Sequence, residues 1–152
     1  MERQSLARFL SRYAPLVIWL AFISFASSDG FSASNTSRVI EPIVRWLFPH
    51  ISQAHLESIH FLTRKLAHFS EYALLAILAV RAFRSSPNPH LKRRWFLVSV
   101  AIIVLYALLD EYHQSFVPSR TASVFDSFID MSGGLTTLVI IWLRRRKDDA
   151  SN

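Results

Sequence analysis

The chain has 152 residues, 51% of them hydrophobic, and its 17 basic and 11 acidic residues give a formal net charge of +6. This composition excludes a mainly disordered chain, because there is enough apolar surface to form a core. The absence of cysteine excludes disulfides, thiolate zinc sites and cysteine nucleophiles. With Gly30, Gly133 and Gly134 as its only glycines, the chain also lacks a glycine-rich phosphate loop.

The first apolar segment, residues 13–28, follows a basic arm at residues 1–12. It is short for a membrane span, which needs about 20 residues, but apolar residues in the arm can extend it if the arginines there reach the interface. The basic arm and the small residues 26–28 also fit a cleaved signal peptide. We favour a retained span, because the extended stretch contains Trp19 and several phenylalanines.

The next segment, residues 29–64, contains a short amphipathic helix in its first half. Apolar residues recur there at helical spacing: Val39, Ile40, Ile43, Val44 and Leu47. Pro49 predicts the end of this helix. Two placements remain open, one on the membrane surface and one packed against the spans. A second helix is predicted to start near Ser52 and to run into the second span.

Three further apolar segments occupy residues 66–83, 95–110 and 124–143. A soluble helix carries a polar stripe, whereas residues 96–109 are interrupted only by Ser99 and Tyr106. A soluble all-helical core would have too little polar surface to cover such helices. The sequence therefore predicts an all-α membrane protein, with a bundle of four transmembrane helices and a short interfacial helix between spans one and two.

The basic residues predict the orientation of this bundle. Most of them lie in the N-terminal arm, the loop after span two and the tail at residues 144–152. Because basic residues concentrate on the cytoplasmic side, both termini are predicted to lie in the cytoplasm. Charge next to the spans indicates contact with anionic membrane lipids and argues against a nucleic-acid partner.

Polar side chains from three spans fall at one predicted depth, near the outer membrane face. Together with the connecting loop they supply Lys65, His68, Glu71, Asp110, Glu111, His113, Gln114, Arg120, Asp126 and Asp130. Such groups are costly in a bilayer and usually face a bundle interior or a water-filled cavity. We expect a pocket that is covered by the loop at residues 115–123 and closed below by a helix contact at Gly133 and Gly134.

Four uses of this pocket remain open, and two of them, metal binding and catalysis, are chemical. A divalent metal could be bound by His68, Glu71, Asp110 and His113. Acid–base or nucleophilic catalysis has the candidates His68, Glu71, Asp110, Glu111 and Asp126.

The other two uses are recognition and structure. In recognition, Arg64, Lys65 and Arg120 hold a phosphate while other groups bind the rest of the ligand. The ligand-binding candidates are Lys65, Gln114, Arg120, Asp130 and Gly133. In the structural interpretation, Lys65 and Arg120 pair with Asp126 and Glu111 only to hold the bundle together. A small transporter is disfavoured, because transport sites lie near the membrane midplane.

Three motifs resemble a known family. Residues 64–72 read RKLAHFSEY and resemble the R-K-x-x-H-F-x-E-Y segment of the VanZ-like family. Residues 110–120 read DEYHQSFVPSR and are similar to its D-E-x-x-Q-x-F-x-P-x-R segment. Asp126, Asp130 and Gly133 match its D-x-x-x-[DN]-x-x-G segment, with Asp130 where many relatives have Asn. The resemblance covers residues 64–134.

The resemblance implies a small multi-spanning protein of a bacterial plasma membrane. The founding member of the family is linked to low-level resistance to teicoplanin, a glycopeptide with a lipid tail. The resemblance therefore implies binding or modification of an amphiphile: a membrane lipid, a lipid-linked cell-envelope precursor or a lipoglycopeptide. A non-enzymatic structural or partner-docking protein is the alternative. By matching position, the residues of interest are His68, Glu71, Asp110, Glu111, Gln114, Arg120, Asp126 and Asp130.

Overall fold

The computed structural model describes residues 2–28, 33–117 and 124–151, which form helices and no strand. In chain order the helices are α1 (Glu2–Ala26), α2 (Ala33–Leu47), α3 (Gln53–Arg84), α4 (Pro89–Arg93), α5 (Trp95–Gln114) and α6 (Val124–Ser151). Four stretches are long and apolar enough to cross a membrane: Leu6–Ala26, Gln53–Arg84, Trp95–Gln114 and Phe125–Ser151. The prediction of an all-α fold with four candidate spans is confirmed.

Helix α3 is the central element of the bundle. The Ser52 side chain caps its N-terminus by accepting a hydrogen bond from the backbone N–H of His55, so the helix begins where the sequence predicts. Its 32 residues extend for about 48 Å, well beyond the roughly 30 Å of a bilayer's hydrocarbon core. The first turns of α3 can therefore project out of the membrane and face α2.

Small side chains let the spans approach closely around α3. The core contains Leu16 and Ile23 of α1 together with buried residues of α3, α5 and α6: Tyr72, Leu75, Ala76, Ala79, Ile103, Ala107 and Leu138. Alanines at such contacts allow tight backbone packing. Large apolar side chains, among them Ile18, Leu97 and Leu105, instead remain exposed on the outside of the bundle. This distribution fits a bundle surrounded by lipid.

The hydrogen bonds between helices define two ends of the bundle. At one end, which we call the basic end, the Tyr13 hydroxyl donates to Ser86 Oγ at 2.8 Å, so the first half of α1 lies beside the C-terminal end of α3. At the other, which we call the acidic end, Ser27 lies beside Asp110 and Lys65 beside Asp126. Helices α3 and α6 therefore run parallel to each other, and α1 and α5 run in the opposite direction.

Helix α2 leaves most of its apolar face uncovered. Val44 is buried, but Val39, Ile43 and Trp46 are exposed, with 79% of Trp46 accessible. The polar side of the helix carries an ion pair in which Arg45 Nε donates to Glu41 Oε1 at 2.8 Å. An uncovered apolar face beside a charged one favours placement at a membrane surface over a helix packed fully against the spans.

Candidate functional site

Three ionisable side chains meet at the acidic end, one from each of α3, α5 and α6. We call His68, Asp110 and Asp130 the central cluster; one possible metal-ligand atom from each lies within 4.8 Å of the others. Asp110 is 5% exposed and Asp130 is 1% exposed. His68 Nδ1 lies 3.1 Å from Asp130 Oδ1. The parallel packing of α3 and α6 brings these last two residues to the same depth.

Two neutral side chains orient the carboxylate of Asp110. Ser27 Oγ donates a hydrogen bond to Asp110 Oδ1, and Gln114 Nε2 donates one to Oδ2 at 3.0 Å. Both donors are almost fully buried. Gln114 reaches the carboxylate because it follows Asp110 by four residues on one helix face, whereas Ser27 comes from the end of α1. The first span therefore contributes directly to the site.

A second contact between α3 and α6 lies one turn toward their N-termini. Lys65 Nζ donates a hydrogen bond to Asp126 Oδ1 and forms an ion pair with it. The lysine side chain is 23% exposed and the aspartate side chain is 11% exposed. The lysine ammonium also lies 5.1 Å from the centre of the Phe61 ring. This pair agrees with the structural interpretation of Lys65 and Asp126, since it joins two spans.

Gly133 and Gly134 allow the helices to come this close. A Cβ atom on Gly133 would overlap the backbone carbonyl of Phe69, so α6 lies directly against α3 at this point. A Cβ on Gly134 would come within 2.7 Å of the Ile103 side chain on α5. The predicted glycine contact is thus present next to the central cluster. Gly133 contributes to the site by letting the backbones of α6 and α3 pack closely.

A cavity of about 810 Å³ lies between α2, α3 and α6. Arg64, Lys65 and His68 of α3 contribute basic groups to its walls, and carboxylates come from each of the three helices: Glu41, Glu57 and Asp126. Apolar side chains also line it: Leu56, Phe61, Phe125 and Ile129. A smaller cavity of about 140 Å³ is lined by residues that include Ser27, Arg64, His68 and Glu71. Arg64 and His68 belong to both walls, so the two cavities adjoin.

Two buried polar atoms have no hydrogen-bond partner among the described residues. They are His60 Nε2 and the Tyr72 hydroxyl oxygen. His60, which is not among the site residues predicted from the sequence, lines the large cavity. Its spacing from Arg64 and His68, four and eight residues, places all three on one face of α3 and is the signal that could have identified it.

The remaining predicted site residues are distributed around this arrangement. Glu71 lines the small cavity, and Glu111 is partly buried at the end of α5. His113, predicted as a metal ligand, is exposed, and the buried cluster contains Asp130 in its place. Arg120 and residues 118–123 of the predicted covering loop lie outside the described part of the chain.

Comparison with known proteins identifies the family. A sequence model of the VanZ/LLP1 family matches residues 13–145. Comparisons with curated proteins and with solved structures give no significant match. The family match spans the last part of α1 and nearly all of the following chain, including every residue of the central cluster. The chain is therefore a membrane protein of the VanZ/LLP1 family.

Proposed function

We propose that this protein binds an amphiphile with an anionic headgroup in the cavity between α2, α3 and α6, at the outer face of a bacterial plasma membrane. The amphiphile is a membrane lipid, a lipid-linked envelope precursor or a lipoglycopeptide. The observation that carries the proposal is the cavity of about 810 Å³, in which the cationic groups of Arg64 and Lys65 share the walls with carboxylates and apolar side chains. Cavities of about 300–1,000 Å³ are typical of small-molecule sites.

The polar wall supports recognition of a phosphate or carboxylate. Arg64 projects into both cavities, and a guanidinium can donate two parallel hydrogen bonds to such a group. His60 adds a buried ring nitrogen with no hydrogen-bond partner in the described residues. Buried polar atoms are nearly always paired, so a bound headgroup would satisfy this nitrogen.

The apolar wall supports binding of an acyl or prenyl chain. Phe61 and Phe125 line the cavity, and both are largely exposed, Phe125 to 78%. Phe128, one turn further along α6, is exposed as well. An exposed aromatic surface beside a polar cavity lets the tail stay in contact with the membrane while the headgroup enters the protein.

One observation favours a second function, in which the polar groups only hold the bundle together. Lys65 with Asp126 and His68 with Asp130 each join α3 to α6. Substitution of Arg64 distinguishes the two functions, because Arg64 lines the cavity without belonging to either pair.

Native mass spectrometry of the detergent-extracted protein tests amphiphile binding. The probes are phosphatidylglycerol, undecaprenyl phosphate and teicoplanin, each added at increasing concentration. We expect Arg64→Gln to weaken binding about tenfold or more, because a hydrogen bond to a charged group contributes about 1.5–3 kcal/mol. The matched control is Arg93→Gln, which removes the same charge from the exposed end of α4, away from the cavity. Equal binding by wild type and Arg64→Gln, or no binding of any probe by wild type, would contradict the proposal.

A further inference from the structure

We propose that His68, Asp110 and Asp130 form a binding site for a divalent transition-metal cation such as Mn²⁺ or Zn²⁺. This cation site is a separate proposal from amphiphile binding, and each of the two can be tested independently. Four observations support it: the geometry of the donors, their charge, an unsatisfied hydroxyl beside them, and the groups that orient and give access to them.

The donor geometry suits a single ion. Each of α3, α5 and α6 supplies one side chain, and three donor atoms lie within 4.8 Å of one another. Cations of this class bind nitrogen and oxygen at about 2.0–2.2 Å, so two donors of one ion are separated by up to about 4.4 Å. Small side-chain movements are enough to close the site. One imidazole with two carboxylates favours Mn²⁺, Fe²⁺ or Zn²⁺, because no sulfur donor is present.

The charge of the central cluster also favours a dication. Asp110 and Asp130 place two carboxylates in a buried position, and His68 supplies at most one positive charge. Carboxylates buried close together raise each other's free energy in the ionised form. A dication between them removes this repulsion and brings the three residues to neutrality when the imidazole is uncharged.

Tyr72 provides an independent indication of a ligand. Its side chain is fully buried, and its hydroxyl has no hydrogen-bond partner within the described residues. It follows His68 by four residues on the same face of α3, and it lies close enough to Asp110 and Asp130 to interact electrostatically with both. A cation, or a water molecule bound to it, would satisfy the hydroxyl oxygen.

The surroundings of the cluster resemble the supporting shell of a metal site. Ser27 and Gln114 donate hydrogen bonds to Asp110 and fix the direction of its carboxylate. Metal-binding carboxylates are typically oriented in this way by outer residues. The cavity of about 140 Å³, lined in part by Ser27 and His68, gives an ion a route to the cluster.

A titration with MnCl₂ alone tests the site. The purified, EDTA-treated protein is titrated, and free Mn²⁺ is followed by its electron paramagnetic resonance signal. We expect wild type to bind one Mn²⁺ per chain and ZnCl₂ to displace it. Asp130→Asn should weaken binding at least 100-fold, since loss of an outer orienting residue alone costs about 10–100-fold. Asp149→Asn, which removes an exposed acid near the end of α6 and far from the cluster, should bind as wild type does.

Further variants keep the test decisive. If Asp130→Asn fails to fold, His68→Gln replaces it, and Tyr72→Phe removes only the hydroxyl. Binding by wild type that matches binding by the ligand variants overturns the proposal, as does a wild type that binds neither ion. Arg64→Gln should retain full Mn²⁺ affinity even where it loses amphiphile binding, so failure of the cation site and failure of the amphiphile site are distinguishable.

Discussion

Lys65 with Asp126 and His68 with Asp130 form two consecutive contacts between α3 and α6, and they differ in their access to solvent. The Lys65–Asp126 pair keeps partial exposure on both side chains, whereas Asp130 is almost completely buried. When Lys65 or Asp126 is removed, water can therefore hydrogen-bond to the remaining partner. Water cannot reach Asp130 in the same way. The two pairs should respond differently to substitution.

Lys65→Met should lower the free energy of unfolding by about 1–3 kcal/mol, because Asp126 loses its charged partner while mostly buried. This cost is smaller than the about 3–5 kcal/mol for breaking a fully buried ion pair. Denaturant unfolding in detergent, followed by circular dichroism, measures it. The double variant Lys65→Met with Asp126→Leu should recover most of the loss, because two apolar side chains replace the pair. A double variant no more stable than Lys65→Met would contradict this prediction.

Individual residues also show where prediction from the sequence ends. The sequence identified Asp110 and its neighbours as site residues but assigned His113 to a metal set and Gln114 to ligand binding. On a helix, the fourth residue along returns to within about 40° of the first, whereas the third lies about 60° away on the other side. Packing of α5 turns Gln114 inward and His113 outward. Spacing alone could not decide which of the two faces the bundle.

At the scale of elements, the contact between α3 and α6 determines the site. These helices run parallel and touch at Gly133, where α6 lies against the Phe69 backbone. The two glycines predicted a close contact, yet two helices were possible partners for them. In the structure both helices are partners, because Gly133 faces α3 and Gly134 faces α5. The relative rotation of three helices sets this division, and one helix's sequence does not encode it alone.

Gly133→Ala should separate α3 from α6 and destabilise the protein by about 1–3 kcal/mol, the usual cost of overpacking. The obstacle is a backbone carbonyl, which cannot move aside as a side chain can. Without an obstacle the same change would stabilise a helix by about 1 kcal/mol, so the sign of the effect tests the contact. Thermal unfolding in detergent gives the measurement, with Ser132→Ala at an exposed neighbouring position as control. A more stable Gly133→Ala would mean that the helices are not in contact there.

At the scale of the whole molecule, the four apolar runs were enough to predict the bundle, because helices that are apolar all round have few alternatives to a membrane. The large cavity was not predicted in its present place. The sequence indicated a pocket between the loop at residues 115–123 and the glycines, whereas α2 forms one wall of the observed cavity. Amphipathic spacing shows that α2 has an apolar face, but not which side of the bundle it adjoins.

The predicted orientation, with both termini in the cytoplasm, can be tested by cysteine labelling. The natural chain has no cysteine, so single substitutions can be labelled without background. Ser58→Cys, near the start of α3, should react with a membrane-impermeant maleimide in intact cells. Ser151→Cys, at the end of α6, should react only after the cells are lysed. Labelling of Ser151→Cys in intact cells would reverse the assignment of the acidic end to the outer face.

The long sequence separation of the paired residues has a consequence for biosynthesis. Lys65 and His68 precede Asp126 and Asp130 by 61 and 62 residues, and Ser27 precedes Asp110 by 83. Lys65 and His68 are therefore synthesised well before the acids that pair with them. Charged groups are costly within a bilayer, so α3 on its own inserts less favourably than its apolar residues would allow. We therefore expect pairing with α6, which is synthesised after α3, to stabilise α3 in its inserted state.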